Sequence, residues 1–183
     1  MKIQGQTITL REMERSDVVN KVNWFNDPEV NKLLLLNEKL DIPKSLEWFE
    51  NSRSDQSRRD FVIETIDGTP IGNISLVHIN DVHKTAEIYI VIGRKEFWGK
   101  GIMLEAEGLL IEWAFDFLKF EKIWADAMVN NIASIITMKK LGFKLEAALL
   151  KERFVREQWI DIFRFGLLKE EFTFDSLKKT VRS

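Results

Sequence analysis

Cysteine is absent from these 183 residues, so neither a disulfide framework nor a thiolate metal site can be built from them. Histidine is nearly as scarce. His78 and His83 lie in or beside a run of β-formers, with only Asp81 at ligand spacing, which argues against a bound metal. Neither sign of charge dominates: 27 Lys and Arg against 29 Asp and Glu leave a formal net charge of −2, which argues against a nucleic-acid binder, since that role needs a dense basic face. No apolar run approaches the roughly 20 residues of a membrane span. The N-terminus, Met1-Lys-Ile-Gln-Gly5, lacks the pattern of a secretory signal. The expectation is a cytoplasmic protein with no metal, no nucleic-acid partner and no membrane.

What remains is ordinary globular material, 45% apolar and 31% charged. One domain over residues 1–183 would bury roughly 70% of the surface its unfolded chain exposes. Residues 7–11 alternate as a first strand. Ser16 or Asp17 can cap a helix over 18–25, which stops before Asn26-Asp27-Pro28, and a short helix follows from Glu29. Residues 40–45 read as loop, with Ser45 capping a helix over 46–51, and 52–59 as a polar connector. Strands over 61–66 and 69–78 flank the hairpin turn Asp67-Gly68, and 85–92 makes a fourth. In the long helical segment 104–120, Glu105, Gly108, Glu112, Asp116 and Lys119 form one polar stripe and the rest is apolar, so that helix is mostly buried. A strand over 122–127 follows, then a helix over 135–141 that stops at Gly142-Phe143, then strands over 144–154 and 159–168 and a polar tail from Glu170. The order is that of an α+β protein.

The chain is organised around Trp98-Gly99-Lys100-Gly101-Ile102-Met103, where a strand hands over to a helix N-terminus. The first turn of a helix has N–H groups without partners and carries partial positive charge, and glycine lets an anion approach the backbone. Read alone, this is an ordinary tight connection. Together with Arg94 upstream, it resembles the acyl-CoA-binding loop of the GCN5-related N-acetyltransferases, in particular the RimJ/RimL-like branch that acetylates ribosomal-protein N-termini. Asn131-Ile-Ala-Ser134, followed by Leu141-Gly142-Phe143, resembles the second signature of that family, and further likenesses run from Leu10-Arg11 through Trp24 and Asn26-Asp27-Pro28 to Asp161.

The resemblance implies a mixed, mainly antiparallel seven-stranded sheet flanked by helices. It implies acetyl-CoA as co-substrate, held by Ile90, Val91 and Ile92 at a strand end, by Trp98, Gly99, Lys100, Gly101, Ile102, Met103 and Leu104, and by Asn131 and Ser134. Met103 replaces a small residue of the family loop, next to the pyrophosphate. Many relatives carry a tyrosine four residues after the serine to protonate the thiolate; here that position is Met138, and the single tyrosine is Tyr89. Ser134 can supply the proton instead, or serve only as cap and CoA contact.

The acceptor amine, an ammonium at neutral pH, needs a general base. Alternation turns Ile88, Ile90 and Ile92 one way and Glu87, Tyr89 and Val91 the other, toward the first helices and the acceptor face of relatives. Glu87 is therefore the candidate base, or else an ion-paired strand carboxylate. Trp24, Phe25, Trp48 and Phe49 belong to helices that, by the resemblance, roof the acceptor site, and most are expected to be packing. Asp161 is structural or substrate-orienting. The expected activity is direct acetyl transfer to a primary amine of a protein N-terminus or a small molecule. An amino sugar nucleotide, a polyamine or an antibiotic are alternative acceptors, a non-catalytic acyl-CoA-binding module is the alternative class, and a homodimer is left open.

Overall fold

A computed structural model describes residues 1–172, and its strands form one eight-stranded sheet in the order β1-β2-β3-β4-β5-β6-β8-β7. These are β1 (Lys2–Gln4), β2 (Ile8–Glu12), β3 (Arg59–Thr65), β4 (Pro70–Asn80), β5 (Thr85–Ile92), β6 (Lys122–Met128), β7 (Lys144–Val155) and β8 (Gln158–Leu168). Neighbours are antiparallel throughout except β5 and β6, which run parallel. The sheet is thus mixed and mainly antiparallel, with one strand more than expected. The addition is β1, three residues long, too short for alternation to reveal and held on the edge by β2.

Successive residues of a strand face opposite sides, and the two sides have separate cores. Phe61 and Ile63 pack with Ile88 and Ile92 against α4 (Ile102–Asp116) and α5 (Ile132–Lys140). On the other side, Val62 packs with Val18, Val22 and Phe49, and Val91 with Phe25, Val30 and Leu34. Those partners come from α1 (Val18–Asn26), α2 (Pro28–Asn31), α3 (Ile42–Ser52) and the segment after α2. α5 ends as its sequence indicates. Gly142 adopts φ +94°, its N–H donates to the Lys139 carbonyl and the Phe143 N–H to that of Met138, the paired bonds of a Schellman stop.

Several local expectations need correction. The stretch read as a loop up to Ser45 is already helical from Ile42: Asp41 caps α3 by accepting the Lys44 N–H at 3.1 Å, Pro43 occupies the first turn, and Ser45 is buried inside the helix. Neither Ser16 nor Asp17 caps α1 through its side chain; a 3-10 turn over Arg15–Asp17 precedes the helix, and the Asp17 carboxylate turns back to accept the Glu14 N–H at 2.7 Å. Of the expected polar stripe, only Asp116 and Lys119 are exposed, at and just after the end of α4. Glu105 is buried and accepts from Gln6 N–H, Thr7 N–H and the Thr7 hydroxyl, tying the helix to the β1–β2 turn. Of the polar tail, residues 173–183 lie outside the described residues.

Asp17 belongs to a small buried charge cluster. Arg11 on β2 donates to both Asp17 oxygens, at 2.6 and 2.8 Å, and to Glu64 of β3 at 2.6 Å, with all three side chains at most 14% exposed. The paired carboxylates hold the guanidinium pKa above its ordinary value, the Asp17 hydrogen bond being the largest cause. Removing the arginine would strand two carboxylates away from water, and breaking a buried pair from one side typically costs about 3–5 kcal/mol. Arg11→Met should therefore lower stability by about that amount at pH 7 in urea titrations; a loss below ~1 kcal/mol would show the cluster to be effectively solvated.

Candidate active site

The parallel pair is where the sheet opens. β5 and β6 are in register only at Thr85–Glu87 against Lys122–Trp124, yet β5 continues to Ile92 and β6 to Met128. From Ile88 onward the edge of β5 that faces β6 has no strand partner. Its peptide groups are left to a ligand or to water.

Two connected hollows occupy the opening. The outer cleft, about 300 Å³, is lined by Ile90, Val91 and Ile92 of β5, by Trp98, Gly99 and Gly101, by Ile102, Met103 and Leu104 of the first turn of α4, and by Asn131, Ser134 and Lys140 around α5. The inner one, about 130 Å³, is lined by Glu87, Tyr89, Glu107, Asp126, Met138 and Arg153, and shares Leu33, Leu34, Ile90, Asn131 and Ser134 with the first. All candidate residues but Lys100 therefore line one or other of these adjoining hollows. The ammonium of Lys100 stands 5.4 Å from the Phe97 ring centroid instead.

The loop conformation needs its glycines. Gly99 and Gly101 have φ of +73° and +80°, in the left-handed region, and the space where a Cβ would project is open at both. Trp98 fastens the loop to the strand by donating its indole N–H to the Ile92 carbonyl at 2.8 Å. Asn131 caps α5, accepting the Ser134 N–H at 3.3 Å, so its carbonyl oxygen is committed to the helix.

The Glu87 side chain is 16% exposed and lies 2.7 Å from His78 Nδ1. Burial pushes its pKa up, the hydrogen bond to His78 pulls it down by less, and the charge of Asp126 pushes it up further. His78 reaches it from a bulge: the β4–β5 register shifts between Val77 and Asn80, and His78 takes φ +50° there. Its ring stacks on Trp124, 5.9 Å between centroids and 8° between planes. Arg164 lies over the same indole and holds Asp126 through two bonds of 2.8 Å. The resulting arrangement is a partly buried carboxylate with a raised proton affinity, oriented by an imidazole, at the inner end of a cleft whose outer end is a glycine-lined helix N-terminus. That geometry suits deprotonating a cation next to a phosphate-bearing ligand.

Residues 7–144 match the model of the acetyltransferase (GNAT) domain. The chain belongs to the GNAT acetyltransferases. It is an acetyl-CoA-dependent N-acetyltransferase with the mixed α+β fold of that family. Among its relatives is the spermidine N(1)-acetyltransferase of Escherichia coli (strain K12), 29% identical over 168 residues that span 92% of this chain and 89% of the relative. The putative ribosomal N-acetyltransferase YdaF of Bacillus subtilis is 30% identical over 177 residues, 92% of this chain and 94% of that one. Among solved structures, the spermidine N-acetyltransferase from Vibrio cholerae in complex with CoA and spermine superposes with a TM-score of 0.86 at 26% identity, covering 91% of this chain and 98% of that one.

For an acetyltransferase, the outer cleft fits its co-substrate. Open backbone at two left-handed glycines, a helix N-terminus and the Lys140 side chain would suit a pyrophosphate, and the apolar walls Leu34, Ile90 and Val91 would suit a thioester arm. Met103 does line this cleft, partly buried against the core cluster behind the loop. Among the described residues no helix is long and apolar enough to cross a membrane, and no group of three or more His, Cys, Asp and Glu could hold a metal ion.

The roof residues are packing in large part. Phe25 contacts the Tyr89 ring at 6.4 Å, Phe49 belongs to the core under α1, and the Trp48 ring lies 3.4 Å from the Lys21 ammonium, whose pKa burial lowers to about 8. Trp24 presses on Gly93 at the end of β5, where no side chain could fit beneath it. The Asp161 carboxylate accepts the Lys151 N–H at 2.7 Å, beside the register shift of β7, a structural duty.

Sequence reasoning missed two groups at the inner hollow. His78 was weighed as a metal ligand rather than as a carboxylate's partner. Glu107 is a charge off the polar stripe of α4, which is the signal that could have exposed it: it is 4% exposed.

Proposed function

We propose that this acetyltransferase, a single cytoplasmic domain, acetylates a primary amine of a polyamine of the spermidine type. The observation that carries the reading is the Glu87 carboxylate, partly buried, oriented by His78 and facing the same hollow as Tyr89, where an ammonium can be drawn in and deprotonated. Support for the polyamine comes from near full-length likeness to enzymes named for spermidine, one of them solved with CoA and spermine. In this reading Ile102 to Leu104, Gly99 and Gly101 offer backbone to the pyrophosphate, and Asn131 and Ser134 flank the arm. The unpaired edge of β5 offers a peptide N–H to the thioester oxygen, and Glu87 takes the proton of the attacking amine. Acetyl-CoA, when bound, supplies the activated acetyl group.

A peptide N-terminus is the second reading, favoured by the likeness to YdaF, and it keeps the narrower placement among ribosomal-protein acetyltransferases. One assay decides between them. The purified protein is given acetyl-CoA with spermidine, spermine, amino sugars, an aminoglycoside and N-terminal peptides, and free thiol is followed. We expect kcat/KM for a polyamine to exceed that for any peptide by at least about tenfold, equivalent to 1.4 kcal/mol at the transition state. A peptide preference would overturn the acceptor assignment. Binding of CoA without thiol release over the whole panel would make the chain an acyl-CoA-binding module.

A further inference from the structure

Burying a carboxyl group without a partner is costly, and such groups call for an explanation. Only two side chains among the described residues carry buried polar atoms of this kind, Asn73 and Glu107. Asn73 lines neither hollow at the parted strands. Glu107 does: from the middle of α4 it lines the inner hollow, its Oε2 fully enclosed and without a hydrogen-bond partner. Burial drives its pKa up to about 8, which favours the protonated acid near neutral pH. The titratable and charged groups that share the hollow are Glu87 and Tyr89 from β5, Asp126 from β6 and Arg153 from β7; α5 contributes Ser134 and Met138, which do not titrate near neutrality.

We propose that Glu107 is the acid that protonates the departing thiolate of acetyl-CoA. This rests on the acetyltransferase reading of the cleft and adds the residue that completes its proton traffic. Two of the carboxyl groups in the hollow then have opposite tasks. Glu87 is bonded to an imidazole and 16% exposed on the acceptor side, and is poised to take a proton; Glu107 has no such partner, is deeper on the α4 side, and is poised to give one. As the amine nitrogen bonds to the acetyl carbon, the carbon–sulfur bond breaks with its electron pair on sulfur, and Glu107 transfers its proton there. The ammonium nitrogen loses two protons in all: one replaces that of Glu107 on return to the resting state, and one reaches water by way of Glu87. A thiol titrates near 8.5, so transfer from this acid is close to balanced, the condition under which an acid is most effective. Serine is a far weaker acid, which leaves Ser134 as a contact or a relay.

Glu107→Gln keeps the shape and removes the proton. We expect kcat to fall roughly 10²-fold with CoA affinity, measured by calorimetry, unchanged within about twofold. The wild-type kcat should decline as pH rises through about 8, and that alkaline limb should be missing from the variant. Glu107→Asp, which keeps an acid one methylene shorter, should restore part of the rate and the limb. A second readout needs no turnover: in the protein without ligand, the infrared carbonyl band of a protonated carboxylic acid should titrate near pH 8 and be absent from Glu107→Gln. Equal kcat and equal pH profiles in wild type and Glu107→Gln, with whichever amine turns over, would overturn the proposal, as would a wild-type protein lacking that infrared band. Parallel losses of CoA affinity and rate would also overturn it, making Glu107 a binding contact. A failure of the acceptor assignment looks different, since it appears as absent turnover of polyamines by the wild type itself.

Discussion

Glu87→Gln should lower kcat/KM by roughly 10²- to 10⁴-fold, the span usual for a lost general base, while acetyl-CoA binding stays intact. The substitution preserves volume and can keep a hydrogen bond to His78, so the sheet should not respond; what disappears is the negative charge that attracts an ammonium and the basicity that neutralises it. The pH profile sharpens the test. A base works only when ionised, and burial raises the pKa of Glu87 above the ordinary glutamate range, so wild-type activity should climb as pH rises through that raised value. The glutamine variant should lack this step and recover only slowly toward pH 9, as more amine arrives already neutral. If Glu87→Gln turns over like wild type from pH 6 to 9, the base lies elsewhere.

Gly101→Asp should abolish CoA binding, with a loss of at least several kcal/mol and so more than about 10²-fold in affinity. Two effects act together. Gly101 is at φ +80°, where Asp is among the few side chains tolerated, so the fold should survive. Its carboxylate, however, would project into the open space above the α4 N-terminus, compete for the same N–H groups and repel the pyrophosphate. Calorimetry with CoA reads the outcome directly, and wild-type affinity in a folded Gly101→Asp protein would remove the loop from the cofactor site.

The elements legible in the sequence were those with a long pattern or a steric signal. Alternation over eight residues placed Glu87 opposite three isoleucines, and Gly142 with two preceding lysines marked the end of α5 within one residue, though its start at Ile132 is three residues earlier than expected. Short or competing signals misled. Three residues of β1 carry no usable period, and Ser45 looks like a cap as readily as Asp41, which holds the position because Pro43 can enter the first helical turn. Buried polarity was the least legible. A periodic stripe counts Glu105 as solvent-facing, whereas three donors from the β1–β2 turn, a hundred residues away in sequence, are what bring it inside. Glu107 lies off that stripe, so the pattern marks it as buried, but nothing local says that it ends beside a gap between strands.

The three-residue seam between β5 and β6 has a mechanical meaning beyond the room it makes. Strands β1 to β5 form one run of antiparallel pairings and β6, β8 and β7 another, and within the sheet only Thr85–Glu87 against Lys122–Trp124 joins them. Each half holds its own ladder, so the seam is a fault line in the sheet's hydrogen bonding, bridged beneath by the core that both halves share with α4. A molecule that lies along the free edge of β5 while touching α5 spans that line. Acetyl-CoA would then act as a strut as well as a reactant, and its arrival and departure would set how stiffly the two halves of the sheet move as one.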